Sequence, residues 1–252
     1  MIGISSPSFS LVAFDEMLEK IRKEFGLWEI VAELEHDLPV IEEGAEYAME
    51  SYDMKFQIHA PIADLNIGSP SERMRKHSID ELLLLIEICE RLSIPLITIH
   101  PGTAVAYGDE VKGRVIEATK DSIRTIAHET EGMGLKIALE NMPPGSWSTC
   151  TDVGALLSVV EGTSIGICFD TGHAHVAGSV DGFLHERERI LNVHLHNNDG
   201  KSDLHLPLAD GTMDLRPIVG ALSRKYHGNY IIEASNLREG IESKRILEGW
   251  LE

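Results

Sequence analysis

Residues 165–170 read IGICFD, a short apolar run that ends in an acidic side chain. Three further runs have a similar form, namely LITIH at 96–100, KIALE at 136–140 and YIIEA at 230–234. Near-continuous apolar runs of this length are typical of parallel strands that are covered on both faces. These runs therefore predict an α/β fold built around a parallel sheet.

Outward from this run, β-rich segments alternate with segments of helical periodicity along the chain. Eight such pairs predict a closed (β/α)8 TIM barrel, because 252 residues match the roughly 250 typical of this fold. A single domain over residues 1–252 is expected. The predicted strands are Ile2–Ser5, Glu29–Leu34, Lys55–Ala60, Pro95–His100, Leu135–Glu140, Ile165–Asp170, Ile190–His196 and Asn229–Ala234.

The clearest helix signal follows the third strand, where apolar residues recur at helical spacing from Ile79 to Cys89. Ser78 and Glu81 form a capping box, which predicts that this helix begins there. The other predicted features are a long helix over Asp109–Gly132, N-caps at Thr151 and Asp214, and a helix around Phe183–Arg189.

The composition limits the classes of partner. The chain has 22 basic and 41 acidic residues and a formal charge of −19, so its field repels polyanions, and nucleic acid is disfavoured. Three cysteines at scattered positions form neither a disulfide framework nor a zinc-finger pattern, and a packing role is expected for them. The chain shows no secretory signal and no apolar run long enough for a membrane span, which predicts a cytoplasmic protein without membrane contact.

Six successive predicted strands end in, or next to, a side chain that can bind metal. In a closed parallel barrel the carboxyl ends of the strands converge on one face, where TIM-barrel active sites lie. A single histidine or acid at such a position usually has an ordinary structural role. Six together predict a shared site, since crowded carboxylates repel one another unless cations or protons intervene. They are His59, His100, Glu140, Asp170, His194 and Glu233.

Three more donors stand nearby in the sequence: His173, three residues after Asp170, and the pair Asp203 and His205. Imidazole and carboxylate ligands without cysteine suit a first-row transition ion better than calcium, so Zn²⁺ or Mn²⁺ is expected. Nine donors exceed the capacity of one ion, which predicts one to three ions. His175 and His196 are also near and are expected to orient ligands or contact substrate.

Six motifs carry a resemblance to a known family: IHAP at 58–61, TIHPG at 98–102, ALEN at 138–141, FDTGHA at 169–174, VHLHNNDGKSDLHLPL at 193–208 and IIEAS at 231–235. Together they resemble the xylose isomerase-like TIM-barrel superfamily. That superfamily includes the endonuclease IV family of apurinic/apyrimidinic (AP) endonucleases, also called AP endonuclease family 2, and many sugar isomerases and epimerases.

The endonuclease IV pattern implies three ions with nine ligands and a metal-activated hydroxide that attacks a phosphodiester in line. The first ion would take His59, His100 and Glu140. The second would share Glu140 and add Asp170, His194 and Glu233, and the third would take His173, Asp203 and His205. All nine positions hold the expected residue types.

Two departures weaken the nuclease interpretation. The first strand reads IGISS, without the histidine usual in endonuclease IV relatives. The loop after the second strand carries Glu33, Glu35 and Asp37 where those relatives have a basic, aromatic loop that enters DNA, and phosphates would repel such a loop.

The resemblance to the sugar isomerase branch implies chemistry at the central metal alone. There Glu140 and Glu233 would act as catalytic residues that move a proton, and the metal would stabilise an enediolate of an open-chain sugar. Trp147, His196 and Lys201 are the expected substrate-binding residues, with Lys201 placed to meet a phosphate.

Three hypotheses follow, in descending preference. The first is a metal-dependent isomerase or epimerase for a small sugar or sugar phosphate. The alternative is a zinc-dependent AP endonuclease acting at abasic sites in DNA, and the third is a metal-binding barrel without catalysis. Fold alone cannot choose among them, because one barrel supports many reactions through its loops. Whether the barrel forms a homo-oligomer is left open.

Overall fold

The computed structural model describes residues 1–104 and 108–251. Eight parallel strands pair in sequence order, and the last pairs with the first to close a barrel. The predicted single-domain TIM barrel is therefore confirmed. The strands are β1 Ile2–Ser5, β2 Leu27–Val31, β3 Lys55–His59, β4 Leu96–Ile99, β5 Lys136–Glu140, β6 Gly166–Asp170, β7 Ile190–Leu195 and β8 Tyr230–Glu233.

Helices on the connections surround the barrel, and their apolar faces pack on the outer face of the strands in one continuous core. None of the described helices has both the length and the apolar character that a membrane span requires. The helices are α1 Phe14–Ile21, α2 Leu38–Tyr52, α3 Glu72–Arg91, α4 Asp109–Glu129, α5 Val153–Val160, α6 Thr171–Ala177, α7 Val180–His185, α8 Leu215–Leu222 and α9 Leu237–Leu251.

The start predicted for the third helix was wrong. Helix α3 begins at Glu72, after Ser71, so Ser78 lies two turns inside it. The Ser78 hydroxyl donates to the carbonyl of Met74 and accepts from the backbone N–H of Asn66, both of which a serine inside a helix can do. The capping-box pattern matched a serine that instead ties the helix to the loop after β3.

Other boundaries differ by smaller shifts. Asp152, not Thr151, caps α5 by accepting from the backbone N–H of Ala155, whereas Asp214 caps α8 as predicted. The helix expected around Phe183–Arg189 is α7, followed by a 3-10 turn over Arg187–Arg189. Helix α6 was not predicted.

Strand β2 begins two residues earlier than predicted and ends at Val31. Its pairing with β3 starts at Leu27 opposite Lys55, and the chain then bends into a 3-10 turn over Leu34–His36. This register moves Glu29 from the predicted start of the strand to its middle.

The interior of the barrel is unusually polar. TIM-barrel interiors are normally filled by bulky branched apolar side chains. Here a layer near the middle of the strands contains fully buried polar residues that hydrogen-bond to one another, namely Glu29, Gln57, Thr98 and Asn192. This layer lies directly beneath the carboxyl ends of the strands.

Candidate metal centre

Four strands bring one donor each to the middle of the carboxyl face. Strand register places Asp170 beside His194, and one ligand atom from each of the four residues lies within 4.8 Å of the others. Nδ1 of His194 is 3.1 Å from Oε1 of Glu233, 3.5 Å from Oε1 of Glu140 and 3.9 Å from Oδ2 of Asp170. We call Glu140, Asp170, His194 and Glu233 the central site.

A second group flanks it on the side of β3 and β4. Nε2 of His59 and Nε2 of His100 lie 3.1 Å and 3.3 Å from the same oxygen, Oε2 of Glu140. Nδ1 of His59 is 2.7 Å from the carbonyl oxygen of Ala60, to which it can donate, so Nε2 is the nitrogen directed at Glu140. We call His59, His100 and Glu140 the lateral site.

A third group lies on the other side, on α6 and the loop after β7. Oδ2 of Asp203 is 3.2 Å from Nε2 of His173 and 3.1 Å from Nε2 of His205. Nδ1 of His173 lies 2.8 Å from the carbonyl oxygen of Asn141, so Nε2 is the nitrogen directed at Asp203. We call His173, Asp203 and His205 the outer site. All nine donors predicted from the sequence therefore lie in one connected cluster.

Asp170 shows how local structure prepares a ligand. Its Oδ1 accepts from the backbone N–H of His173, which caps α6, and is 3.0 Å from Nε2 of His196. Its Oδ2 has no hydrogen-bond partner among the described residues and faces the central site. The cap thus fixes the carboxylate while one oxygen stays available.

His196 does not line the cavity at the site. It is fully buried, its ring stacks on that of His205 at 4.0 Å, and it packs against the backbone of Gly172. A Cβ atom at Gly172 would lie 2.0 Å from Cε1 of His196, so only glycine fits there. The buried position does not support the substrate contact expected for His196. His175 bonds Thr212, apart from the three groups.

Charges in the cluster compensate one another without metal. Burial disfavours the charged form of His59, but the hydrogen bond and charge of Glu140 outweigh it and raise its pKa to about 9. Burial also lowers the pKa of His173 and of His205. Their acidic neighbours outweigh this effect and raise the pKa to about 10 for His173 and to about 9 for His205. Despite its burial, Glu140 has a pKa well below its ordinary value because of His194 and His100. Protons on the histidines therefore take the place of cations.

The donor chemistry fits a divalent transition ion. Buried ligand atoms without a hydrogen-bond partner in the described ranges include Oδ2 of Asp170, Nδ1 of His194 and Oδ1 of Asp203. Unpaired buried acceptors are costly, and a cation would satisfy them. The Cys168 thiol also lies close to Glu140 and His194, but burial raises its pKa, so it stays protonated and is a poor ligand.

A cavity of about 380 Å³ opens above the cluster. Small-molecule sites have volumes of roughly 300–1,000 Å³, so this cavity suits a compact ligand. Its wall includes His100, Glu140, Glu233, Trp147 and Lys201, together with apolar side chains from Ile62, Met142, Pro143, Pro144 and Val176. Trp147 and Lys201, two of the residues expected to contact substrate, are thus among the residues that line this cavity.

Glu29 was not among the residues predicted for the site. It lies on β2, is fully buried, and its Oε1 is 2.8 Å from Nε2 of His194. An acid inside the apolar run LWEIV was the available signal, because a buried carboxylate requires a partner.

The barrel and the donors at its mouth define a class, a TIM barrel with residue groups that could hold divalent metal. The sequence profile of the family described as "xylose isomerase-like TIM barrel" matches residues 23–249. The chain belongs to this family. It is 31% identical over 262 residues to the uncharacterised protein MJ1311 of Methanocaldococcus jannaschii, in an alignment that covers 99% of this chain and 89% of that relative.

Solved structures similar to the chain include members of both branches. A D-tagatose 3-epimerase-like protein has a TM-score of 0.92 and 30% identity, with 100% of this chain and 97% of that chain covered. Endonuclease IV from Thermus thermophilus has a TM-score of 0.68 and 20% identity, with 99% and 97% covered. At that identity, the second likeness shows the fold alone.

Proposed function

We propose that this protein is a metal-dependent isomerase or epimerase that acts on a small open-chain sugar or sugar phosphate. The proposal depends on which central donors face the cavity. Glu140 and Glu233 line its wall, whereas Asp170 and His194 are fully buried outside that lining. Two carboxylates on one wall can remove a proton from a carbon and return it, which is the chemistry of an epimerase.

The four residues of the central site would hold the ion, with Zn²⁺ or Mn²⁺ expected from nitrogen and oxygen donors. When bound, a divalent ion polarises a carbonyl group and so acidifies the neighbouring C–H bond. Asp170 and His194 hold their positions through the α6 cap and the contact with Glu29. Glu140 and Glu233 are left to meet the substrate.

The surroundings favour a small ligand over DNA. Glu33 accepts from the backbone N–H groups of Ile62 and Ala63, which ties the acidic loop after β2 to the loop after β3. Nearby, His36 is buried against the ring of Trp28. Together with the charge of −19, an acidic loop held in this way repels the phosphate backbone of DNA.

Side chains on the wall suit a sugar. Trp147 is 39% exposed in the cavity lining and offers an aromatic face to a sugar ring or chain. Lys201 is the expected contact for a phosphate group. The backbone is also more similar to the epimerase-like protein than to endonuclease IV.

Proton exchange tests the proposal. Metal-loaded protein in D₂O should incorporate deuterium into at least one ketose or ketose phosphate of a panel, and a chelator should stop the exchange. Glu233→Gln should lose exchange while keeping its fold. The matched control Glu248→Gln, on the exposed face of α9, should exchange like the unchanged protein. Retained exchange in Glu233→Gln would exclude Glu233 as the proton carrier.

The second candidate is endonuclease IV-like hydrolysis of DNA at abasic sites, and the observation in its favour is the complete outer site. An abasic duplex incubated with metal-loaded protein should stay uncut. Rapid, chelator-sensitive cleavage would reverse the order of the two hypotheses. Bound metal with neither activity would favour a barrel that binds metal without catalysis.

A further inference from the structure

Glu29 occupies a place where an acid is costly. It is fully buried on β2, inside the barrel, at a level that TIM barrels normally fill with branched apolar side chains. A buried ion pair is often no more stabilising than apolar residues of similar volume. Stability alone therefore does not explain the acid.

Neighbouring side chains hold one oxygen of Glu29. Nε2 of Gln57 donates to its Oε2 at 2.5 Å, and Nδ2 of Asn192 donates to the same oxygen at 2.7 Å. The second hydrogen of Asn192 Nδ2 has Oγ1 of Thr98 as an acceptor at 3.0 Å. Asn229 donates to Oε1 of Gln57, which fixes the orientation of that amide. The carboxylate cannot rotate without breaking this network.

The other oxygen faces a metal ligand. Oε1 of Glu29 lies 2.8 Å from Nε2 of His194, and in the described ranges it has no partner that meets the geometry of a hydrogen bond. Nδ2 of Asn192 is also 3.1 Å from this nitrogen, but better acceptors take both of its hydrogens. The carboxylate charge at 2.8 Å favours a hydrogen on Nε2 of His194, which leaves Nδ1, 3.1 Å from Oε1 of Glu233, to face the central site.

We propose that Glu29 is a positioning residue of the central site, which holds His194 in the tautomer and orientation that present Nδ1 to the ion. The inference rests on the proposed metal centre and adds a residue that acts through a ligand. Partners of this kind typically change metal affinity about 10- to 100-fold when removed. A carboxylate beneath the site also offsets part of the charge of the ion.

Glu29→Gln is the sharpest change because it keeps the size of the side chain. Its amide oxygen would still accept from Gln57 and Asn192, which turns the NH₂ group towards Nε2 of His194. That contact favours a hydrogen on Nδ1, where the ion should bind. Zn²⁺ affinity, measured by competition with a chromogenic chelator, should fall about 10- to 100-fold.

A double-mutant cycle separates positioning from a general structural effect. In a His194→Gln background, Glu29→Gln should change Zn²⁺ affinity little, because the ligand through which it acts is gone. The control Glu42→Gln, which breaks an exposed pair with Arg91, should leave affinity unchanged in either background. If Glu29→Gln lowered Zn²⁺ affinity equally in the unchanged and the His194→Gln backgrounds, the proposal would be contradicted.

The unchanged protein gives an independent measurement if Glu29→Gln does not fold. In the Zn²⁺-loaded protein, long-range ¹H–¹⁵N spectra should show His194 with its hydrogen on Nε2 and metal on Nδ1, the assignment coming from His194→Gln. Metal on Nε2 would overturn the inference while the proposed function stands. If the unchanged protein binds no Zn²⁺ at all, the proposed function and this inference fail together.

Discussion

The central site and the outer site use the same side-chain types but differ in how the chain carries them. All four central donors stand at strand ends, and their side chains are at most 9% exposed. In the outer site Asp203 and His205 lie in the loop after β7 and are 24% and 30% exposed. Strand register fixes the first set, whereas the second depends on a loop.

That loop is braced, although it is not a strand. Asn197 forms a bridge with Leu206, and its side chain donates to the carbonyl oxygens of Leu208 and Met213. His205 has a φ of 47°, a conformation that is uncommon for residues other than glycine and often found at functional sites. The comparison indicates that the strands of the barrel hold the central donors rigidly, whereas changes in a loop can add further donors beside them. The predictions that follow go from the central site outwards to the outer site and the rim, in order of decreasing effect.

The largest expected effect is in the central site. Asp170→Asn should reduce metal-dependent proton exchange by more than about 100-fold, because loss of a direct ligand exceeds the 10- to 100-fold effect of outer partners. It should also remove metal from the central site, as measured by elemental analysis. If Asp170→Asn kept both its proton exchange and its bound metal, the central site would not be the reaction centre.

The pH dependence should have opposite signs with and without metal. His59, His173 and His205 have pKa values of about 9 to 10 in the metal-free protein, above the ordinary 6.5. The stability that they contribute is present below pH 6.5 and is lost as pH rises through 9 to 10. Metal affinity should rise over the same range, about tenfold per pH unit for each proton released.

Thermal unfolding of the metal-free and Zn²⁺-loaded protein between pH 6.5 and 9 measures both trends. The difference between the two midpoints should widen as pH rises. Parallel curves would contradict the raised pKa values of these histidines.

A smaller effect is expected in the outer site. Asp203→Asn should lose bound Zn²⁺ there and change proton exchange by less than about tenfold, since the proposed chemistry needs only the central site. Elemental analysis and exchange are measured on the same sample. A loss as large as that of Asp170→Asn would remove the distinction between the sites and favour hydrolysis by several ions.

The smallest effect is expected at the rim. Lys201→Met should raise the KM for a sugar phosphate about 2- to 5-fold, because an exposed ion pair contributes at most about 1 kcal/mol. The KM for the neutral sugar should not change. An equal change in the KM of the sugar phosphate and of the neutral sugar would show that Lys201 does not contact the phosphate group.

Sequence reasoning found the donors because their positions repeat. His59, Glu140 and Asp170 each end a strand, and the barrel turns that shared position into proximity. Glu29 was not predicted because its position depends on the extent of β2. The strand begins two residues earlier than predicted, so Glu29 stands in its middle and not at its start. The fit of His196 against Gly172 likewise appears only in three dimensions. The start of α3 was missed because Ser78 matches a cap but makes other contacts.

Closure of the barrel also completes the central site. Glu233 stands on β8, and β8 reaches its place by pairing with β1, in which Ser5 lies opposite Glu233. A chain that ends before this strand holds the lateral and outer donors but lacks one of the four central donors. The central site is therefore completed only when the first and last strands meet, and a permuted chain that separates β8 from β1 should lose metal there before it loses metal from the other two groups.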